Sequence, residues 1–313
     1  MIRFLCRRLA FGAALLALVT CATFFTVFGS SDSVVRSLVG DQATDEQIAA
    51  RTAELGLDRP VLTQFADWVA HAVTGDLGQS WFTSEPVATA VANRLPATLA
   101  LMVLSILVLA AASAVLGTLA AVREGGALDR ALQVVTETLS SVPKFWLALM
   151  LVIGLAINLR LFPATGYAPI ADGPGTWALG LVLPTLAIVL GELRVTSMVR
   201  GAVADELGKP YVRTLRARGL SRAEVLFGHV LRNAASPWLS LMSMKVVALF
   251  SGTVVIEKVF AVPGIGSLAT TAAIGGDVPV LMGVVVVTVI VIVGVYLVFD
   301  LVQAWLNPKV RLS

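Results

Sequence analysis

The strongest constraint on this chain is the recurrence of apolar stretches of about twenty residues or more, each long enough to cross a bilayer core of about 30 Å as a helix. Leu9 to Ser31 and Leu95 to Val122 hold no charged residue. Leu132 to Leu159 carries Glu137 and Lys144, Trp177 to Met198 carries Glu192 and Arg194 near its end, Trp238 to Ile256 carries Lys245, and Val278 to Phe299 is uninterrupted. Lipid offers no hydrogen bonds to a backbone, so such stretches must be helices. The expected fold is therefore all-α and polytopic, with six transmembrane helices at about 9–29, 97–122, 132–159, 177–198, 238–257 and 278–303. Composition agrees: the 313 residues are 57% hydrophobic and 14% charged, where soluble chains carry about 25% charged residues. That excludes an ordinary cytosolic enzyme, a disordered tail and a disulfide scaffold.

The basic residues orient the spans, because cytoplasmic loops carry an excess of Lys and Arg. Arg3, Arg7 and Arg8 precede the first stretch, Arg123 and Arg130 separate the second from the third, and Lys309 and Arg311 follow the sixth. Arg200, Lys209, Arg213, Arg216, Arg218, Arg222 and Arg232 lie between the fourth and fifth. Both termini are thereby expected in the cytoplasm. Residues 30–96 then lie outside, and the segment Gly29 to Pro96 holds nine acids against Arg36, Arg51, Arg59 and Arg94. A basic start before an apolar run also describes a secretory signal, and Leu18-Val-Thr-Cys21 loosely resembles a lipoprotein cleavage box. The run continues through Phe24, Phe25, Val27 and Phe28, which favours an uncleaved span.

The outer segment is patterned as a small helical cap between the first and second spans. Thr44 with Gln47 forms a capping box whose helix should stop at Gly56, and Asp58 and Pro60 resemble the cap and first turn of a helix ending at Gly75. The cap either ties two spans together or touches substrate.

Several chemistries have no basis here. Cys6 and Cys21 would have to join the membrane edge to its interior, and His71 and His229 stand far from both, so neither a disulfide nor a metal site is expected. The net charge of +3 is spread over loops between apolar runs, which argues for membrane lipid and against nucleic acid as the partner of the basic residues. The Gly208-Lys209 pair is followed by Pro210, so there is no phosphate loop for ATP. Gly264-Ile-Gly-Ser-Leu-Ala269 matches a dinucleotide fingerprint without a preceding strand, and is read as a turn at Pro263 and Gly264 entering a short re-entrant or surface helix.

The longest basic loop, residues 207–235, is the most informative segment. Pro210 can begin a helix, Gly219 can end it in a left-handed cap, and Ser221 with Glu224 can cap a second helix running to about Asn233. The result is either a rigid bent element able to transmit force or a basic patch on anionic lipid. Charges within spans are costly and face protein or water. Glu137 and Lys144 are seven residues apart and would share a helix face, and Lys245 stands alone, so these three are candidates for a translocation cavity or for interhelical pairing.

Tyr211-Val-Arg-Thr-Leu-Arg-Ala-Arg-Gly-Leu-Ser, followed by Val225-Leu-Phe-Gly-His-Val-Leu-Arg-Asn-Ala, resembles the cytoplasmic loop of ABC-importer permeases of the peptide and nickel family. Further matches run in order: Leu55-Gly-Leu-Asp-Arg-Pro-Val, Gly75-Asp-Leu-Gly-Gln-Ser, Arg94-Leu-Pro-Ala-Thr-Leu, Ser141-Val-Pro-Lys-Phe-Trp, Val259-Phe-Ala-Val-Pro-Gly-Ile-Gly and Asp277-Val-Pro-Val. They resemble the B-type subunit of dipeptide and oligopeptide permeases over nearly the whole chain. Two departures are Arg213-Thr-Leu, where the general loop begins Glu-Ala-Ala, and Lys144, where a small polar residue is expected.

The resemblance implies a type I ABC-importer permease fold, with a permease core over residues 94–304 and no enzymatic activity of its own. It implies a homologous second permease chain, two cytosolic ATPase domains that carry ATP and Mg, an extracytoplasmic substrate-binding protein, and a bacterial inner-membrane location. Short peptides are the implied substrate, with nickel, glutathione or haem as alternatives. A secondary transporter or channel working without an ATPase is the rival class, and the paired inverted halves of the former are not visible. The residues expected to couple to the ATPase are Arg213, Thr214, Arg216, Ala217, Gly219, Leu220 and Ser221. Pro263, Gly264, Gly266 and Asp277 are expected outside, where substrate would enter.

Overall fold

The computed structural model of the chain describes residues 2–28, 35–36, 38–40 and 43–306. Gly29 to Asp32, Asp41, Lys309 and Arg311, which enter the expected span bounds and orientation, lie outside the described residues. The helices are α1 (Ile2–Phe28), α2 (Asp45–Glu54), α3 (Val61–Val73), α4 (Val87–Val122), α5 (Ala127–Ser141) and α6 (Lys144–Asn158). They continue as α7 (Pro174–Leu190), α8 (Val195–Gly208), α9 (Pro210–Ala217), α10 (Arg222–Val259), α11 (Ile265–Gly275) and α12 (Val278–Leu306). The protein is an all-α, polytopic membrane protein. Among the described residues four helices, α1, α4, α10 and α12, are long and apolar enough to cross a membrane, and there are up to six spans if the bent pairs α5–α6 and α7–α8 each count as one.

The bent pairs differ from straight spans for local reasons. Between α5 and α6 the chain turns by 103°. Val142 is extended at φ −81°, ψ 133° because the ring of Pro143 disfavours a helical residue before it. Glu137 and Lys144 therefore lie on different helices and do not share a face, contrary to the seven-residue spacing. The α7–α8 pair bends by 62° without a proline at the break. There Glu192, Leu193, Val195 and Thr196 donate to carbonyls three residues back, a tightened turn. Pro96, Pro184 and Pro237, by contrast, stand inside helices that continue through them.

The stretch expected to be a short helix to Asn233 and then a separate span is one helical run, α10, containing a π-helical turn over Leu226–Val230. No glycine cap follows Asn233, so nothing stops the helix, and the wider turn absorbs the change in register.

The chain forms two compact units, one of the residues up to Thr98 with Pro263–Gly294, the other of Leu99–Val262 with the residues from Val295 onward. In the first, α2 opens on the Thr44–Gln47 capping box and closes at Gly56, φ +66°; α3 closes at Gly75, φ +91°. Asp58 does not cap α3: Pro60 is the N-cap residue, and the Gln64 amide ties the preceding turn by donating to the Leu57 and Arg59 carbonyls at 3.2 and 2.8 Å. Phe24 of α1 is fully buried, stacks on Phe28 at 3.9 Å and meets Phe65 of α3 edge-on at 5.0 Å. This aromatic contact fastens the cap to the first span.

In the second unit the core gathers Ala121, Val195, Val199, Val203, Val212, Val225, Val230, Ala234 and Met242. Small residues let these helices approach closely. A Cβ on Gly117 of α4 would stand 2.8 Å from the Val199 Cβ and 2.9 Å from the Thr196 carbonyl oxygen. Gly117→Val is therefore expected to destabilise the fold by about 1–3 kcal/mol, read as a lower Tm in detergent; an unchanged Tm would contradict the packing described. Large apolar side chains remain exposed along the spans, among them Phe11, Leu18, Leu107, Val115, Ile157 and Val298. Lipid or another protein must cover them.

Candidate functional site

The basic loop builds a bent element from local signals. α9 starts at Pro210, whose missing N–H costs nothing in a first turn. It ends in a Schellman cap: Gly219 at φ +89° donates to the Arg216 carbonyl at 3.0 Å, and Leu220 donates to the Leu215 carbonyl at 3.3 Å. Two residues later α10 opens on a capping box in which Ser221 accepts the Glu224 N–H and the Glu224 carboxylate accepts the Ser221 N–H. The Ser221 hydroxyl is thus engaged in its own turn.

Which face is free follows from burial. Val212 and Val225 are buried in the unit's core, and Leu215 and Leu220 pack against it. Arg213, Thr214, Arg216, Ala217, Gly219 and Ser221 are exposed. Of the residues expected to couple, only Leu220 is turned inward, because it supplies the apolar contact of the Schellman cap.

The element is anchored to both neighbouring helices. Tyr211 donates to Glu206 of α8 at 2.9 Å and accepts from Asn233 of α10 at 3.2 Å, while Lys209 pairs with the other oxygen of Glu206. Burial holds the Tyr211 hydroxyl above its ordinary pKa; the Glu206 carboxylate acts in the same direction and Asn233 opposes it. The hydrogen bond to Glu206 raises Lys209. Farther along α8, Arg200 grips Asp129 of α5 with two bonds of 2.6 and 2.7 Å, and Asp129 also accepts from Gly125 and Gln133.

A second polar centre occupies the two helix breaks. Glu192, between α7 and α8, receives Lys144 of α6 at 2.7 Å and Lys245 of α10 at 3.0 Å. Lys245 is therefore not alone. Two residues on, Arg194 donates its Nε to Glu137 of α5 at 2.8 Å and its backbone N–H to Ser140 at 2.8 Å, and Ser197 adds a third donor at 3.3 Å. The three candidates thus divide into two clusters, Lys144 with Lys245 and Glu137 apart, and together these clusters fasten one break to the other.

The outer residues are also placed by local chemistry. Pro263 is exposed and Gly264 is the N-cap residue of α11, whose first N–H, from Ile265, is accepted by Thr98 at 2.8 Å. Gly266 is buried in the first turn of that helix. Asp277 precedes α12 and is 7% exposed; its carboxylate accepts the Ser80 hydroxyl at 2.5 Å and the Trp81 N–H at 3.3 Å. It pins the loop before α4. In the other unit Ala261 takes φ +53° to close α10, with Val262 donating to the Glu257 carbonyl at 2.9 Å. A left-handed alanine costs roughly 1–2 kcal/mol. Ala261→Gly should raise stability by about 1 kcal/mol, seen as a higher Tm; a lower Tm would refute the strain.

The family model of binding-protein-dependent transport system inner membrane components matches residues 113–312, and the model of the N-terminal part of such components matches residues 1–102. The chain belongs to this family. A probable peptide ABC transporter permease of Sinorhizobium fredii is 33% identical over 309 residues, 98% of this chain and 99% of that protein. The dipeptide transport system permease of Lactococcus lactis is 31% identical over 314 residues, 100% of both chains. A metal-staphylopine import system permease of Staphylococcus aureus is 29% identical over 315 residues, 99% of each.

As a transport-system inner membrane component the protein is a multi-pass membrane permease, not an enzyme. Sequence reasoning noted Glu192 and Arg194 only as charges near the end of a span, and missed Asp129, Glu206 and Tyr211. One acid in an apolar stretch, set against a single lysine in each of two others, is the signal that could have found Glu192, since a buried cation seeks a carboxylate.

Proposed function

We propose that this chain is the pore-forming permease subunit of an ATP-driven, binding-protein-dependent importer of short peptides. In this reading it pairs with a homologous second permease chain. Two ATPase domains bind ATP and Mg on the cytoplasmic side, where both termini and residues 207–235 lie, and a substrate-binding protein docks outside, near residues 30–96 and the Pro263, Gly264, Gly266 and Asp277 region. The peptide assignment is supported by relatives known as peptide and dipeptide transport permeases that match nearly the whole chain.

One observation carries the coupling role. α9 is braced to α8 and α10 through Glu206, Tyr211 and Asn233, exposes Arg213, Thr214, Arg216 and Ala217, and is followed after one glycine-capped bend by a helix that runs unbroken from Arg222 to Val259. A push on the exposed face is thereby delivered to a membrane span without a flexible joint. Closure of the ATPase pair would move this element as a lever and shift the spans between inward and outward access.

Isolation of the chain from its native membrane should recover the second permease and the ATPases. Proteoliposomes should then accumulate labelled short peptide only when binding protein, ATP and Mg are all supplied. Uptake by this chain alone would overturn the importer assignment, and uptake of a metal chelate in place of peptides would overturn the substrate class.

A further inference from the structure

The Lys144, Glu192 and Lys245 cluster is out of charge balance. Two ammonium groups share one carboxylate, leaving the group formally +1. Glu137 does not correct this, because it is taken by Arg194 and Ser197. α6 begins at Lys144, so the positive end of its backbone dipole adds to the excess. Uncompensated charge in apolar surroundings is costly, and an anion that meets it is held strongly.

The lysines are also the more exposed members of the cluster. The Glu192 side chain is 10% exposed, but those of Lys144 and Lys245 are 22% and 28% exposed, so the acid sits behind its two cations. Glycine makes room for the Lys144 side chain itself, which reaches Glu192 by packing against two helices: a Cβ on Gly252 would stand 2.6 Å from the Lys144 Nζ, and one on Gly191 would stand 2.8 Å from its Cγ. Lys245 lies roughly 21 Å along α10 from Val259, and Glu192 roughly 27 Å along its pair from Pro174, at 1.5 Å per residue. Both are most of a bilayer core away from the ends assigned to the outside.

We propose that this cluster is a carboxylate-binding site of the translocation pathway. Lys144 and Lys245 receive the terminal carboxylate of a peptide, and Glu192 keeps both lysines charged and oriented in its absence. The proposal rests on the reading of the chain as a peptide-importing permease.

The test compares uptake of trialanine and of its C-terminal amide by the reconstituted complex. The binding protein is the same throughout, so its own preference cancels between variants. Lys245→Gln is expected to lower the ratio of free-acid to amide uptake roughly tenfold, the worth of one charged hydrogen bond, and Lys144→Gln to do the same, whereas Lys245→Arg keeps the ratio. A ratio unchanged in both glutamine variants, whether the two rates fall together or not at all, would overturn the site and leave the cluster a helix fastener. Acetylation of the lysines in the purified complex by acetic anhydride, followed by mass spectrometry, gives a second readout independent of transport. Trialanine should slow modification of Lys144 and Lys245 severalfold and its amide should not; equal rates would overturn the site. Protection without peptide uptake would instead overturn the assigned substrate class alone.

Discussion

A complex carrying Gly219→Val is expected to hydrolyse ATP without moving substrate. Gly219 sits at φ +89°, where a β-branched residue is strained, and no atom lies within 4 Å of a Cβ built on it. The penalty is therefore a backbone one, roughly 1–2 kcal/mol or more, and not a clash. Relief of that strain breaks the two hydrogen bonds of the Schellman cap and changes the angle at which α9 meets α10. Gly219→Asn, which tolerates the left-handed region better, should retain part of the coupling. ATPase activity and peptide uptake measured on the same proteoliposomes distinguish the outcomes: normal uptake per ATP in the valine variant would sink the lever mechanism.

Loss of the Glu192 carboxylate has the largest expected effect on stability. Glu192→Ala strands two lysines in a site where they are only 22% and 28% exposed. Removing one partner of a buried ion pair costs about 3–5 kcal/mol, and the exposure of the lysines places this case near 3 kcal/mol. The amount of chain assembled in the membrane and the Tm in detergent should both fall. Combining Glu192→Leu with Lys144→Met and Lys245→Met removes every charge and should recover most of the Tm. A Glu192→Ala variant as stable as the natural chain, or a triple variant no more stable than the single one, would show that the cluster does not hold the breaks together.

Local chemistry was legible. The Thr44–Gln47 and Ser221–Glu224 boxes, the left-handed glycines 56, 75 and 219, and the turn into α11 depend on residues within four positions of one another, where short-range sterics and hydrogen bonding decide. Asp58 was misread because Pro60 takes the cap position and the preceding turn is held instead by the Gln64 amide, which donates to the Leu57 and Arg59 carbonyls. Prolines were ambiguous. Pro143 breaks a span, whereas Pro96, Pro184 and Pro237 are carried inside helices, and a lone proline in an apolar run does not by itself separate the two outcomes.

Apolar run length and the placement of charge by themselves determined an all-α membrane protein with a bent, glycine-capped basic element, because a helix in lipid must satisfy its own backbone. Only the tertiary structure decided how the scarce interior charges pair. Glu192 and Lys245 are 53 residues apart, and Arg194 and Glu137 are 57 apart, and no helical period links positions on separate helices. Their partners are set by which breaks and faces meet when the spans pack, where an unpaired charge would cost more than the bend required to pair it.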